Sequence, residues 1–103
     1  MELDKNGYAP SIVQTRDTCC FRCGYEGDVA RHEVFYGEGR REKSKRLGLW
    51  VHLCPRCHQY GKHAVHSDRQ ADLALKQVAQ AEAMSAYGWS TEKFIEEFGM
   101  NYL

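Results

Sequence analysis

Leu53-Cys54-Pro55-Arg56-Cys57-His58 is the stretch whose reading decides the fold. It sets two thiols at C-x2-C spacing, with a histidine directly behind the second. The same spacing occurs upstream at Cys20-Phe21-Arg22-Cys23, where Gly24 follows, and thirty residues separate the two pairs. A C-x2-C loop lets two sulfurs reach one ion at about 2.3 Å, and two such loops complete a tetrahedral zinc site. Gly24 supplies the backbone angles on which such a knuckle turns. One pair alone could be a redox dithiol or an incidental cluster. Two pairs, Cys20/Cys23 and Cys54/Cys57, predict a structural Zn²⁺.

The rest of the composition leans on that metal. The chain has 103 residues, enough for one domain with a modest core. Between Asn6 and Gly48 the large aliphatics are only Ile12, Val13, Val29, Val34 and Leu47. A structural zinc offsets this deficit, because its binding free energy of roughly 10–16 kcal/mol becomes folding free energy. The cysteines therefore read as ligands in a reducing compartment rather than as disulfides, with Cys19 the odd one of the five. No apolar run approaches the ~18 residues of a membrane span. The opening Met1–Asn6 lacks the cationic and apolar regions of a signal peptide. The expectation is a cytoplasmic protein with no membrane partner.

Net charge is zero, but it is unevenly spread. Residues 31–69 hold nine Lys/Arg (Arg31, Arg40, Arg41, Lys43, Lys45, Arg46, Arg56, Lys62 and Arg69) against four acids. A middle of +5 between acidic flanks suggests a polyanion on one surface. The alternative is a solvated basic loop.

Residues 1–18 show no clear period, although Ser11–Thr15 reads as a short strand. Val29–Phe35 and Leu47–Leu53 read as strands, the second with Leu49, Val51 and Leu53 alternating against Gly48, Trp50 and His52. Between them Tyr36–Arg46 reads as a basic loop, with at most a helical turn from Arg40. Pro55 suits the first turn of a helix that carries Cys57 and His58 and ends at Gly61. Ser67 and Gln70 fit a capping box opening a long helix to Tyr87, with Leu75, Val78 and Ala79 on one face and Gly88 as its C-cap. A shorter helix capped by Ser90 or Thr91 follows, burying Phe94, Ile95 and Phe98 before Gly99. The predicted fold is a small zinc-stabilised α+β domain spanning 1–103. It has a treble-clef core at about 19–66 and a C-terminal pair of helices at about 67–99.

Adding His32 on the first strand and His58 behind the last cysteine, the chain resembles the zinc-containing branch of the HNH endonuclease family, the ββα-metal fold. The resemblance covers Cys20 to about His66. It is carried by His32-Glu33-Val34-Phe35-Tyr36-Gly37, Leu47-Gly48-Leu49, Leu53–His58 and Ala64-Val65-His66, and the tail Phe94–Leu103 is similar too. The nearest likeness is to short phage- or prophage-borne members, which implies a bacterial host cytoplasm. The resemblance makes His32 the general base that takes a proton from the attacking water, a job suited to a neutral imidazole. It makes His58 a ligand of one divalent ion, Mg²⁺ or another, set against the scissile phosphate of double-stranded DNA. Arg40, Arg41, Lys43, Lys45 and Arg46 would hold backbone phosphates.

The chain departs from the family pattern twice. No asparagine lies between Asn6 and Asn101, so Gly39 or Ser44 falls where the family's central Asn would be. Arg31 stands where a metal-binding aspartate often precedes the base. Arg31 is then expected at the phosphate, with His66, or less readily His63, completing the ion site. Duller roles stay open for these histidines: a half-buried strand residue for His32, packing beside the zinc for His58, a loop residue for His66. Two functions follow, a metal-dependent DNA endonuclease and a degenerate zinc module that binds nucleic acid or a protein without cutting. A zinc-finger transcription factor is a weaker third, because no recognition helix is visible.

Overall fold

The computed structural model describes residues 2–15 and 18–103. The elements run β1 (Ala30–Glu33), α1 (Arg40–Leu47), β2 (Trp50–Leu53), a single π-helical turn (Arg56–Tyr60), α2 (Arg69–Tyr87) and α3 (Thr91–Phe98). β1 and β2 pair antiparallel, with Ala30 opposite Leu53 and Glu33 opposite Trp50. Leu49, just before β2, and Val51 and Leu53 within it are fully buried as expected, while Trp50 on the other face is buried as well. His32 lies opposite Val51, and directly opposed residues share a face. Its ring is therefore carried on the core side of the sheet.

Both strands are shorter than their sequence pattern. Val34 and Phe35 leave the ladder, though the Val34 amide still donates to the Leu49 carbonyl at 3.0 Å. The larger difference lies between the strands, where the sequence pattern gives a loop and α1 makes two full turns. Its sequence, Arg-Arg-Glu-Lys-Ser-Lys-Arg-Leu, is mostly straight-chain side chains that lose little rotamer freedom in a helix. Gly39 and Gly48, both at positive φ, bracket it. Ser44 is the inward-facing residue: its hydroxyl donates to the Phe35 carbonyl at 2.7 Å and accepts from the Phe35 amide at 3.2 Å. One buried side chain thus satisfies both backbone groups of the residue that has just left the sheet.

Phe35 is the hub of the second half of the core. Its ring lies 5.3 Å from Phe94, 4.7 Å from Phe98 and 5.4 Å from Tyr102. α2 is capped by Asp68, not Ser67, and the Asp68 carboxylate accepts from the amides of Gln70 and Ala71. An aspartate beside the positive end of the helix dipole does this better than a serine. The buried stripe of α2 is Leu75, Ala79 and Ala83, spaced four apart, so Val78 is left outside at 44% exposure. Ile95 of α3 is likewise exposed, while Phe94 and Phe98 are buried. Gln80 was hidden in the sequence because it is polar. It is fully buried, donates to Asn101 Oδ1 at 2.7 Å and accepts from the Tyr102 amide at 2.8 Å, which docks the C-terminal tail.

The segment 8–14 forms no strand, and residues 16–17 of the expected N-terminal loop lie outside the described residues. It crosses the outer face of β2 instead. The Ala9 amide donates to Lys45, the Ile12 amide to Gly48, and Trp50 Nε1 to the Ala9 carbonyl, all at 2.8–2.9 Å. The crossing is tight at Gly48, where an added Cβ would stand 2.3 Å from the Pro10 carbonyl oxygen. Gly48 has φ +74° and Gly88 has φ +66°, but Gly88 faces open space. Gly88→Ala should therefore cost only the left-handed penalty, about 1–2 kcal/mol. Gly48→Ala adds overpacking of a further ~1–3 kcal/mol. Thermal unfolding should rank Gly48→Ala well below Gly88→Ala, and equal melting temperatures would refute the packing described here. Among the described residues no helix is long and apolar enough to cross a membrane.

Candidate functional site

The two C-x2-C segments meet. Cys20, Cys23, Cys54 and Cys57 bring their sulfurs within 4.8 Å of one another, and Cys23 lies 3.7 Å from Cys54. A tetrahedral site with 2.3 Å bonds has sulfurs about 3.8 Å apart, so the spacing fits zinc. The first knuckle is closed by the Cys20 amide on the Tyr25 carbonyl and the Gly24 amide on the Cys20 carbonyl, each 2.8 Å. The Phe21 amide then donates to the His52 carbonyl at 2.8 Å and hangs the knuckle on β2. Cys54 ends the strand and Cys57 sits in the π-helical turn. Arg22, between the first two ligands, donates to the His63 carbonyl at 2.6 Å and braces that turn.

The thiols divide by environment. Burial raises Cys20, but amides of Cys54, Cys23 and Arg22 aimed at its sulfur outweigh that and hold it at about 6. Burial and the neighbouring thiols push Cys57 up to about 12. Four sulfurs this close cannot all be thiolates unless a cation shares their charge. A soft, tetrahedral divalent ion would do so, and the donor set is that of a closed structural site. Cys19 stands apart, half-buried, with its carbonyl accepting from Gln14 Nε2 at 2.7 Å.

A second cluster adjoins the first, because the turn that presents Cys57 presents His58 next to it. Past the turn the chain doubles back, with the Val65 amide on the Cys57 carbonyl at 2.9 Å and the His66 amide on the His58 carbonyl at 3.2 Å. This lays His66 against His58, their Nε2 atoms 3.0 Å apart. β1 supplies His32 from the other side. The ring centres form a near-regular triangle of 5.0, 5.1 and 4.6 Å, and the three candidate ligand nitrogens lie within 4.8 Å. His32 is 3% exposed, and its buried Nε2 has no hydrogen-bond partner among the described residues. Burial first, then the charges His58 and His66 would carry, hold His32 down at about 3, and burial also lowers His58. The cluster opens on a pocket of about 240 Å³ bordered by Glu33, Tyr36, Arg41 and Gln59.

The other candidates scatter. His63 turns outward, its Nδ1 3.0 Å from Asp68, and does not join the cluster. His52 lies on the opposite sheet face, edge-on to Trp50 at 5.2 Å. Arg31 also points away from His32: it pairs with Asp4 at 2.9 Å and stacks 4.3 Å over Tyr8 and 5.0 Å over Trp50. Of the helical cations, Lys43 donates to the Glu97 carbonyl at 2.7 Å, and Lys45 lies 4.9 Å over Tyr8 and 3.6 Å from Glu42. Arg40, Arg41 and Arg46 are exposed. Arg41 borders the histidine pocket and reaches Glu33 at 3.7 Å. Tyr36 and Gln59 were given no role from sequence, and Glu33, adjacent to His32, was expected on the opposite face of the strand, yet all three border the pocket. Each adjoins a cluster histidine in the chain or lies a few residues from one, which was the only signal available.

Compared with known proteins, the chain matches no family model, no curated protein and no solved structure.

Proposed function

We propose that this protein is a metal-dependent endonuclease of the HNH type that hydrolyses DNA phosphodiesters, built on a structural zinc held by four cysteines. The observation that carries the proposal is the convergence of His32, His58 and His66 on one open pocket. A zinc scaffold alone has no use for three imidazoles beside it. An antiparallel hairpin leading into a short helical turn behind C-x2-C supports the ββα-metal and treble-clef reading of the core. Ser44 supports it too, since it ties the segment after β1 to α1, the hairpin-orienting job that the resemblance gives to the missing asparagine. When bound at His58 and His66, a divalent ion would polarise the scissile phosphate and favour departure of the 3′ oxygen. Arg41, at the rim, would fix a neighbouring phosphate, and the resemblance assigns the proton of the attacking water to His32. The test is whether purified protein nicks supercoiled plasmid with Mg²⁺, Mn²⁺ or Ni²⁺ and not with EDTA.

The basic helix gives a separate expectation. Arg40, Arg41 and Arg46 are the exposed cations, Arg41 lying within 3.7 Å of Glu33, whereas Lys43 and Lys45 are half-buried and engaged within the chain. Log affinity for a duplex against log salt should have a slope of about −0.9 per phosphate contacted, so about −3 for three contacts. Replacing Arg41 and Arg46 by alanine should flatten it by nearly two units, and Lys43→Ala should barely change it. Salt-independent binding would remove DNA as the partner. The second reading, a module that binds without cutting, is favoured by one feature. Arg31, in the place of the family's metal-binding aspartate, is committed to Asp4, Tyr8 and Trp50. Plasmid bound but left intact with every ion would establish that reading.

A further inference from the structure

We propose that His32, His58 and His66 together form a second metal site, a three-imidazole set that takes a first-row transition ion rather than Mg²⁺, with His32 as a ligand and not the base. The proposal deepens the nuclease reading by naming the ion and replaces the base role that the resemblance gives His32, but it stands on the cluster itself and fails or holds independently of DNA cleavage.

Three observations carry it. The first is symmetry. The His32 ring is as close to His58 and His66 as those two are to each other, within half an ångström, at 5.0, 5.1 and 4.6 Å between centres. A general base should stand off from the ion by the width of a water molecule, whereas a ligand should close the triangle. In a tetrahedral site with bonds of about 2.05 Å the nitrogens stand ~3.3 Å apart. His58 and His66 are at 3.0 Å, and all three ligand atoms are within 4.8 Å, close to the spacing that such a site needs.

The second is an unsatisfied polar group: His32 Nε2 is buried without a partner among the described residues. Leaving such a group unpaired costs roughly 1–3 kcal/mol. A metal bond removes that cost, and it suits a ring that burial keeps from the solvent.

The third is what the cluster lacks. No carboxylate oxygen joins it among the described residues. Glu33, the nearest in sequence, is held by Tyr8 at 3.0 Å and by Arg41 at 3.7 Å. Mg²⁺ is bound through oxygen and gives up its water reluctantly, while imidazole suits Zn²⁺, Ni²⁺, Co²⁺ and Cu²⁺. The pocket leaves open positions beside the three nitrogens, as a reactive rather than a structural site requires.

The experiment uses the 103-residue chain with its cysteine site already filled by Zn²⁺, titrated with Co²⁺ or Ni²⁺. One further equivalent should bind, giving ligand-field absorption without the thiolate charge-transfer bands of a cysteine site. Millimolar Mg²⁺ should not displace it. Even outer-shell partners are worth about 10–100-fold in metal affinity. His32→Ala, His58→Ala and His66→Ala should therefore each weaken the second ion by at least ~100-fold, with the first zinc retained. If His32→Ala binds the second ion like wild type, the assignment is overturned. Should that variant fail to fold, nitrogen NMR of histidine-labelled wild-type protein decides. All three rings should show a metal-bound nitrogen on adding a second equivalent of Zn²⁺, and an unshifted His32 overturns the proposal.

Discussion

Stripping the cysteine site should unfold the domain, not merely loosen it. Replacing Cys54 by Ser, or titrating with a strong chelator, should abolish the cooperative thermal transition and expose the core. The magnitude follows from two scales. A structural zinc of this type contributes roughly 10–16 kcal/mol of apparent binding free energy, and the net stability of a folded domain is about 5–15 kcal/mol. Losing the first is enough to consume the second. The geometry sharpens the expectation, because Cys20 and Cys54 are also core residues, packed with Val51, Leu53 and Val65. Both the knuckle and the π-helical turn supply cysteines that such an ion would tie together. The turn carries His58, and the Val65 amide docks on its Cys57 carbonyl on the way to α2. Circular dichroism and zinc content, measured together, check this. Wild type should hold at least one zinc, the substituted protein should lose that zinc with its transition, and Cys19→Ser should keep both. A folded, cooperatively melting protein with no zinc would refute the structural role.

How far the sequence could be read depended on how local each determinant was. The cysteine cluster was legible because the C-x2-C loop fixes its own geometry, so two pairs needed only to meet. The inward face of β2 was legible from Leu49, Val51 and Leu53, since a period of two is a property of the strand alone. Gly88 and Gly99 were legible as helix stops for the same reason: a C-cap glycine answers a local demand, and both adopt positive φ. Helix α1 was not legible. Its residues favour a helix, but their mean character is so polar that no apolar stripe announces it. What secures it is Ser44 reaching Phe35, a contact no pattern encodes. Val78 and Ile95 were misplaced because a helical face read from sequence is wide, and the stripe that packs was decided by where Phe35 and the tail stand. Gln80 stayed hidden because its partners, Asn101 and Tyr102, are about twenty residues away in the chain. The three histidines of the cluster were named from the sequence through the resemblance, with His66 preferred to His63. The physical reason for that preference was not legible: it lies in the doubled-back chain, which turns His63 toward Asp68 and His66 toward His58.

The proposed cleavage reaction should depend most on His58, and the pattern of losses across the histidines should identify their jobs. On supercoiled plasmid, His58→Ala is expected to reduce nicking by at least ~10³-fold. Losing the ion forfeits several kcal/mol of charge stabilisation, and each 1.36 kcal/mol is about a factor of ten in rate. His32→Ala should fall by ~10²–10⁴, whether His32 takes the proton, for which that range is usual, or holds the ion. Metal concentration separates the two. A lost ligand weakens the ion's hold, so raising Co²⁺ or Ni²⁺ should recover part of the His32→Ala rate. A lost base leaves the ion bound, and no added metal restores the proton acceptor. His66→Ala should behave like the ligand case, since its Nε2 lies 3.0 Å from that of His58. The controls follow from position. His63 faces Asp68 and His52 lies on the other side of the sheet, so His63→Ala and His52→Ala should cut within about twofold of wild type, as surface and off-site changes usually do. Every variant should retain the zinc of its cysteine site, which keeps a folding defect from passing as a catalytic one. If His32→Ala and His58→Ala nick DNA as fast as wild type, the three-histidine pocket is not the reaction centre.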